Sequence, residues 1–174
     1  MRALADAERI RIFVRELARA AEPGTRLYLT GGATAVLLDW RATTIDVDVK
    51  LVPETDTLFR AIAELKETLH LNVELAAPSD FIPPLPGWED RSLFAFQEGQ
   101  LAVYHYDPYA QALAKIERGH SQDVGDVREM LRRRLVEPDR LLELFGRIEP
   151  VLFRYPAIDP ASFRRAVEAA VAGS

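Results

Sequence analysis

The chain has 174 residues, of which 48% are hydrophobic and 28% are charged, and this composition is typical of a folded globular domain. The formal net charge of −5 argues against a protein that coats nucleic acid indiscriminately, because that mode of binding needs a dense basic surface. The chain has no cysteine, which excludes a disulfide framework and thiolate metal sites. No segment resembles a signal peptide or approaches the roughly 20 apolar residues of a membrane span, so we expect a cytoplasmic protein without a membrane partner.

Near the N-terminus, apolar residues recur at helical spacing and predict an amphipathic helix from Leu4 to about Ala20. The segment "RLYLT" then predicts a short β-strand, and Gly31 and Gly32 follow it directly. After the two glycines, "ATAVLLDW" has the alanine and leucine content of a helix. These segments predict a strand, a glycine turn and a helix in succession.

Two more strands are predicted to follow, with a helix between them. The segment "TTIDVDVKLV" alternates charged and apolar residues and ends at Pro53, as a half-buried strand does. The segment "TDTLFRAIAELKETLH" has one apolar face and predicts a helix that Thr55 or Thr57 caps. In "LNVELA", Asn72 and Glu74 share the side opposite the apolar residues. Glu74 is therefore a further carboxylate on a strand.

The remaining segments predict a loop, a hairpin and several helices. The run "APSDFIPPLPGWEDRS" has too much proline for the interior of a sheet, so we expect a long ordered loop or flap. In "LFAFQEGQLAVYHY", Glu98-Gly99 separates two β-type runs and predicts a hairpin, and every later segment is helical in pattern. We therefore expect an α+β fold, with a mixed sheet flanked by helices in residues 1–107 and a helical extension packed on that core in residues 108–174.

Asp46 and Asp48 carry the clearest chemical signal. Side chains two positions apart on a strand project from the same face about 7 Å apart, so these carboxylates repel each other, and aspartate is depleted from strands. A Mg²⁺ ion would relieve this repulsion, because it prefers carboxylate oxygens and takes its remaining ligands from water and substrate phosphate. The alternative is an ordinary half-solvated strand in which Lys50 offsets the charge.

Gly31 and Gly32 are the second candidate element. Between a strand and a helix, their backbone N–H groups can approach a phosphate because no Cβ stands in the way. For the pair alone, a tight turn is the alternative interpretation. A phosphate cradle followed one helix later by paired strand carboxylates is a more restrictive pattern than either part.

The segment "GGATAVLLDWRATTIDVDV" resembles the signature of the nucleotidyltransferase superfamily of DNA polymerase β-like fold. In that superfamily, Gly-Gly or Gly-Ser opens a helix and Asp-x-Asp lies on the next strand. With Arg41 and Thr43 ahead of the aspartates, the segment is similar to a small bacterial subgroup that includes abortive-infection toxins. A later helix of that subgroup carries a lysine and a downstream aspartate, and "ALAKIERGHSQDVGDV" supplies Lys115, Asp123 and Asp126 in that order.

The resemblance implies a metal-dependent enzyme that transfers a nucleoside monophosphate from an NTP to an RNA acceptor, such as a tRNA end, or to a protein. Asp46, Asp48 and Glu74 would hold Mg²⁺ or Mn²⁺, and Glu74 would also take a proton. The superfamily normally has an aspartate in place of Glu74, so Asp80 in the proline-rich loop competes for this role. The resemblance also implies a toxin with an antitoxin partner. A catalytically inactive module that binds a nucleotide or a protein is the alternative.

The resemblance further implies a set of nucleotide-binding residues, namely Gly31, Gly32, Arg41, Thr43 and Lys115, of which Lys115 is also a catalytic candidate. Each cation has a structural alternative, since Arg41 could serve a helix C-terminus and Lys115 could be a solvated helix residue. Asp123 and Asp126 could likewise stabilise a helix N-terminus. Aromatic residues of the loop and hairpin could stack a base, although most hairpin aromatics pack in a core: Phe81, Trp88, Phe94, Phe96, Tyr104 and Tyr106.

Overall fold

The computed structural model describes residues 2–174, and within them it has eight α-helices and five β-strands. The helices are α1 (Ala7–Ala18), α2 (Gly32–Leu37), α3 (Asp56–Thr68), α4 (Trp88–Arg91), α5 (Pro108–Arg118), α6 (Ser121–Arg132), α7 (Pro138–Ile148) and α8 (Pro160–Ala172). The strands are β1 (Thr25–Thr30), β2 (Asp46–Val52), β3 (Asn72–Leu75), β4 (Leu93–Glu98) and β5 (Leu101–His105). The predicted α+β class is therefore confirmed.

The five strands form one mixed sheet in the order β3-β2-β1-β5-β4. Strand β1 is antiparallel to β2 and parallel to β5, whereas β3 is parallel to β2 and β4 is antiparallel to β5. The register places Asp48 of β2 beside Thr30 on one neighbouring strand and beside Glu74 on the other. The predicted strand carboxylates therefore lie on adjacent strands.

One face of the sheet supports an apolar core. In β2, Val47 and Val49 are buried in this core together with Phe13 of α1 and Leu58 of α3. The alternate residues of β2, which include both aspartates, are half-buried and belong to the opposite face. We call this opposite side of the sheet the carboxylate face.

The chain divides into two compact units. The first contains residues 2–77 and 92–105, and it holds the whole sheet together with α1, α2 and α3. The second contains residues 78–91 and 106–174, and its regular structure is entirely helical. The domain boundary between residues 107 and 108 stays a prediction. Within residues 2–174, every helix falls short of the length or the apolar character that a membrane span requires.

The proline-rich segment contains more regular structure than a loop. It includes a 3₁₀ turn at Pro78–Asp80 and the single helical turn of α4. Arg91, at the end of α4, donates from Nε and Nη2 to Oδ2 of Asp107 at 3.0 and 2.8 Å, and Asp107 is fully buried. This ion pair joins side chains that are 16 positions apart in the sequence, and it holds the proline-rich segment in place although the segment forms no strand.

Capping side chains fix the starts of two helices. Helix α1 begins after Asp6, whose side chain accepts the backbone N–H of Arg9 at 2.9 Å, and not at Leu4. The preceding residue, Ala5, is instead paired with Thr44 in an isolated β-bridge. At α3, Thr55 is the capping residue of the two candidates.

Candidate functional site

Four polar side chains form a compact patch where β2 and β3 begin. The parallel register pairs Asp46 with Asn72 and Asp48 with Glu74, so all four belong to the carboxylate face. Nδ2 of Asn72 donates to Oδ1 of Asp46 and, at 3.3 Å, to Oε1 of Glu74. Asn72 was not among the predicted site residues, yet its amide links two of the predicted carboxylates.

These carboxylates are not assembled as a closed metal cage. In the part of the chain that the structure describes, no group of three or more histidine, cysteine, aspartate or glutamate side chains lies close enough together to hold a metal ion. The donor chemistry still suits Mg²⁺, which commonly uses one or two carboxylates and completes its shell with water and substrate phosphate. Asp46 and Asp48 therefore fit a cation that shares its ligands with a phosphate-bearing substrate.

Gly31 brings the glycine turn into contact with Asp48. Its φ of +61° lies in the left-handed region, and a Cβ placed on it would be 2.8 Å from Oδ2 of Asp48. Any side chain at this position would therefore displace the carboxylate as well as strain the backbone. The two motifs that the sequence analysis singled out separately are thus adjacent in space.

Gly32 lies equally close to the loop that leads into β2. A Cβ on Gly32 would overlap Oγ1 of Thr44 and would lie 3.1 Å from Nη1 of Arg41. Oγ1 of Thr44 in turn donates to the carbonyl oxygen of Asp46 at 3.0 Å. The backbone N–H of Arg41 donates to the carbonyl oxygen of Ala35 in the last turn of α2 at 3.3 Å, while its guanidinium lies beside the glycine turn.

The two threonines of the loop before β2 differ in burial and in contacts. Thr43, which the resemblance marked as a nucleotide contact, is half-buried in the loop before β2. Its neighbour Thr44 is buried and makes the contact with Gly32. Asp80, the competitor of Glu74 for the third carboxylate, is exposed in the 3₁₀ turn of the second unit.

Lys115 belongs to the second unit, where it is buried between α5 and α6. Its Nζ lies 2.7 Å from Oδ2 of Asp126 and 3.9 Å from Oδ1 of Asp123. Burial alone would raise the pKa of Asp123, but the hydrogen bonds that Arg118 donates outweigh this effect and hold the pKa below its usual value. This burial excludes the solvated-surface interpretation of Lys115. Asp123 also accepts the backbone N–H of His120, as the helix N-terminus interpretation expected.

His105 is a further buried polar residue, and no motif of the sequence predicted its role. It lies at the end of β5, is buried, and places Nδ1 3.0 Å from Oγ1 of Thr34 in α2. The same hydroxyl lies 3.3 Å from the carbonyl oxygen of Leu29. Burial lowers the pKa of His105 from 6.5 to about 4, so the imidazole is neutral at neutral pH. The hydrogen bond between His105 and Thr34 therefore links β5 to α2, the helix that follows the glycine turn.

Comparison with known protein families gives one result that bears on this site. Residues 9–153 match a family model described as "Nucleotidyltransferase of unknown function (DUF6036)". The match covers most of the chain and includes the glycine turn, the strand carboxylates and Lys115. No curated protein and no solved structure matches the chain.

Proposed function

Since the chain belongs to this family of nucleotidyltransferases, we propose that it is a Mg²⁺- or Mn²⁺-dependent enzyme that transfers a nucleoside monophosphate from an NTP to an acceptor. An RNA end, such as that of a tRNA, is the first candidate acceptor, and a protein is the second. The contact between Gly31 and Asp48 carries the proposal. It joins a backbone that can approach phosphate to a carboxylate that can hold a cation.

The proposed roles follow from phosphoryl-transfer chemistry. An acceptor oxygen forms a bond to the α-phosphorus, the bond to the bridging oxygen breaks, and pyrophosphate leaves. The cation, when bound by Asp46 and Asp48, supplies neutralisation of the phosphate charge. Glu74 completes the ligand set and takes the proton of the attacking hydroxyl. Asn72 keeps Asp46 and Glu74 aligned with each other through its two hydrogen bonds.

The NTP phosphates are assigned to the glycine turn. The backbone of Gly31 and Gly32 would cradle the β- and γ-phosphates, and Arg41 beside them would supply the positive charge. Thr43 and Lys115 stay predicted nucleotide contacts. The buried ion pair of Lys115 with Asp126 makes Arg41 the stronger candidate for the phosphate cation.

The principal test is transfer of label from each of the four α-labelled NTPs to RNA or to protein, with Mg²⁺ and with a chelator. We expect Mg²⁺-dependent labelling that Asp48→Asn lowers by about a hundredfold or more, because a missing metal ligand affects the transition state directly. Asp56→Asn, which changes an exposed carboxylate in the first turn of α3, is the matched control and should retain full activity.

A catalytically inactive nucleotide- or protein-binding module is the second candidate function. It is favoured by the Asn72 amide between Asp46 and Glu74 and by the lack of a closed metal cluster in residues 2–174. Nucleotide binding without labelling, unchanged by Asp48→Asn, would support this module. Release of free phosphate without a labelled acceptor would indicate a hydrolase at the same residues.

The resemblance of the glycine and aspartate motifs supports a further proposal, that the protein is a toxin which an antitoxin protein neutralises. Expression of the intact chain should then arrest growth, and Asp48→Asn should abolish the arrest. Normal growth during expression of soluble, active protein would contradict the toxin role without affecting the transfer reaction.

A further inference from the structure

An aromatic row crosses the carboxylate face at one end of the sheet. The register pairs Tyr28 of β1 with Tyr104 of β5, and Tyr104 with Phe94 of β4. The rings of Tyr28 and Tyr104 stack with centroids 5.3 Å apart, and Phe94 meets Tyr104 edge to face at 5.6 Å. Phe94 remains 60% exposed. Tyr28 is fully buried and Tyr104 is half-buried, so Phe94 on the outermost strand is the accessible ring of the row.

A β-bulge explains why Phe94 belongs to this face. Residues two apart on a regular strand share a face, but the register of β4 with β5 shifts between Phe94 and Phe96. Phe96 consequently packs against the apolar core, with the guanidinium of Arg11 4.7 Å from its ring centroid. The bulge thus directs one phenylalanine to the core and leaves the other exposed.

Two cations accompany the aromatic row. The exposed Arg26 has its guanidinium 5.8 Å from the ring centroid of Tyr104, and Lys50 of β2 is paired in register with Tyr28. Both belong to the carboxylate face, because they alternate with buried residues along their strands. An exposed aromatic ring with cations nearby can stack an unpaired nucleobase while the cations bind the adjoining phosphates.

We propose that the exposed end of the aromatic row binds a single-stranded nucleic acid, with an unpaired base stacked on Phe94 and the adjoining phosphate at Arg26. The inference rests on the proposed function, because the row and Asp48 share one sheet face and the bound strand would be the acceptor. Phe94 is three strands across and two residues along from Asp48, about 16 Å at the usual strand spacing and rise, and a short run of nucleotides covers this distance.

The bulge also argues against a protein strand as the occupant. Strand β4 is an edge strand, and addition of a partner strand needs a regular row of free backbone groups. The register shift between Phe94 and Phe96 interrupts that regularity. Stacking on an exposed ring has no such requirement.

The test is fluorescence anisotropy with a short labelled single-stranded RNA, without NTP or Mg²⁺, at several salt concentrations. We expect Phe94→Ala to weaken binding about fivefold or more, and Phe94→Trp to preserve it. Arg26→Gln should weaken binding and reduce the slope of log affinity against log salt by about one. The same sequence as a blunt duplex should bind more weakly, because its bases are already stacked.

Phe153→Ala is the matched control. Phe153 is 74% exposed and belongs to the second unit, which contains no strand of the sheet. The guanidinium of Arg154 lies 5.5 Å from its ring centroid, so the control has the same pair of residue types, an exposed phenylalanine beside an arginine. Equal weakening by Phe153→Ala, or unchanged affinity in Phe94→Ala, would overturn the proposal. So would a self-associated protein that Phe94→Ala converts to monomers without any RNA binding.

The assay separates this proposal from the proposed function. Asp48→Asn should keep the RNA affinity while it abolishes transfer. If the protein binds RNA through Phe94 but has no transferase activity, the proposed RNA-binding site is supported and the proposed enzymatic function is contradicted. If wild type and Phe94→Ala transfer to RNA with the same KM, the enzymatic function is supported and the RNA-binding site is contradicted.

Discussion

At the scale of single residues, the position of Gly31 depends on two independent conditions. Its backbone is in the left-handed region, and the space that a Cβ would fill is taken by the carboxylate of Asp48. Gly24 meets only the first condition, with a φ of +84° and no atom within 4 Å of the position that a Cβ would occupy. The two glycines therefore separate backbone strain from contact with Asp48.

We predict that Gly31→Ala impairs both stability and transfer, whereas Gly24→Ala impairs stability alone. Gly24→Ala should cost about 1–2 kcal/mol of unfolding free energy for its positive φ, and Gly31→Ala should cost more, because its ψ of −131° lies outside the left-handed well that other residues can enter. Only Gly31→Ala also displaces Asp48, so its transfer rate should fall together with its stability. Chemical denaturation and labelling assays check the pair, and full activity of a folded Gly31→Ala protein would contradict the assigned role.

His105 gives the protein a pH dependence with a definite sign. Its folded pKa of about 4 lies below the ordinary value of 6.5, so between these values the unfolded chain binds more protons. The stabilising effect of the neutral imidazole is complete above pH 6.5 and is lost as the pH falls toward 4. A shift of this size corresponds to about 3 kcal/mol.

We predict that the unfolding free energy measured by denaturant titration decreases between pH 7 and pH 4, and that His105→Gln flattens this decrease. The comparison concerns the pH dependence and not the absolute stability, which the substitution also lowers. An identical decrease in wild type and His105→Gln would show that other groups cause it.

Site residues could be predicted where their position follows from the two-residue alternation of a strand. They could not be predicted where their partners are far away in the sequence. Asp46, Asp48 and Glu74 share a face because strands alternate every second residue. The bridging role of Asn72 depends on the parallel register of β3 with β2, which no local pattern encodes. His105 and Thr34 are 71 positions apart, and only the pairing of β5 with β1 brings them together.

At the scale of elements, α5 and α6 are joined by a buried ion pair. The side chains of Lys115 and Asp126 are 6% and 4% exposed, respectively. Removal of one partner from a buried pair leaves an uncompensated charge, whereas replacement of both by apolar residues can be neutral. The pair is therefore expected to specify how these two helices meet.

We predict that Lys115→Met lowers the unfolding free energy by about 3–5 kcal/mol, and that the double variant Lys115→Met/Asp126→Leu loses less than Lys115→Met alone. Thermal and denaturant unfolding of the single and double variants measure this coupling. A Lys115→Met protein of unchanged stability that has lost transfer would instead place the lysine in the chemistry.

Hairpins and helices were predictable at this scale, whereas local irregularities were not. The Glu98-Gly99 turn between two β-type runs correctly predicted β4 and β5. The bulge in β4 was not predicted, because "LFAFQE" carries no residue that marks the extra position. The single turn of α4 was also not predicted, since four residues are too few for a helical period.

Ligand binding at the proposed site should raise the free energy of unfolding of the entire protein. A ligand that binds only the folded state stabilises it by about 2.7 kcal/mol at a concentration of 100 times its Kd. We predict that a non-hydrolysable NTP with Mg²⁺ raises the Tm, and that chelation or Asp48→Asn abolishes the rise. A rise of equal size in the presence of the chelator would contradict binding through a metal ion.

The fold class was predictable because the segments follow one another in a recognisable order, from one helix through mixed strands and helices to helices alone. The strand order was not, because β1 lies between β2 and β5, and β5 begins more than 70 residues after β1 ends. Pairing across such a distance depends on the packing of the complete core on α1, α2 and α3.

The close approach of Gly32 to Thr44 limits how related chains can vary. A methyl group on residue 32 and a hydroxyl-bearing side chain on residue 44 would occupy the same space. Because the Cβ of Thr44 itself would lie 2.7 Å from a Cβ on residue 32, exchanges at these two positions should be correlated, with alanine or serine at 32 appearing only beside glycine at 44. An alignment of the family would reveal such paired replacement as covariation between two positions that are twelve residues apart.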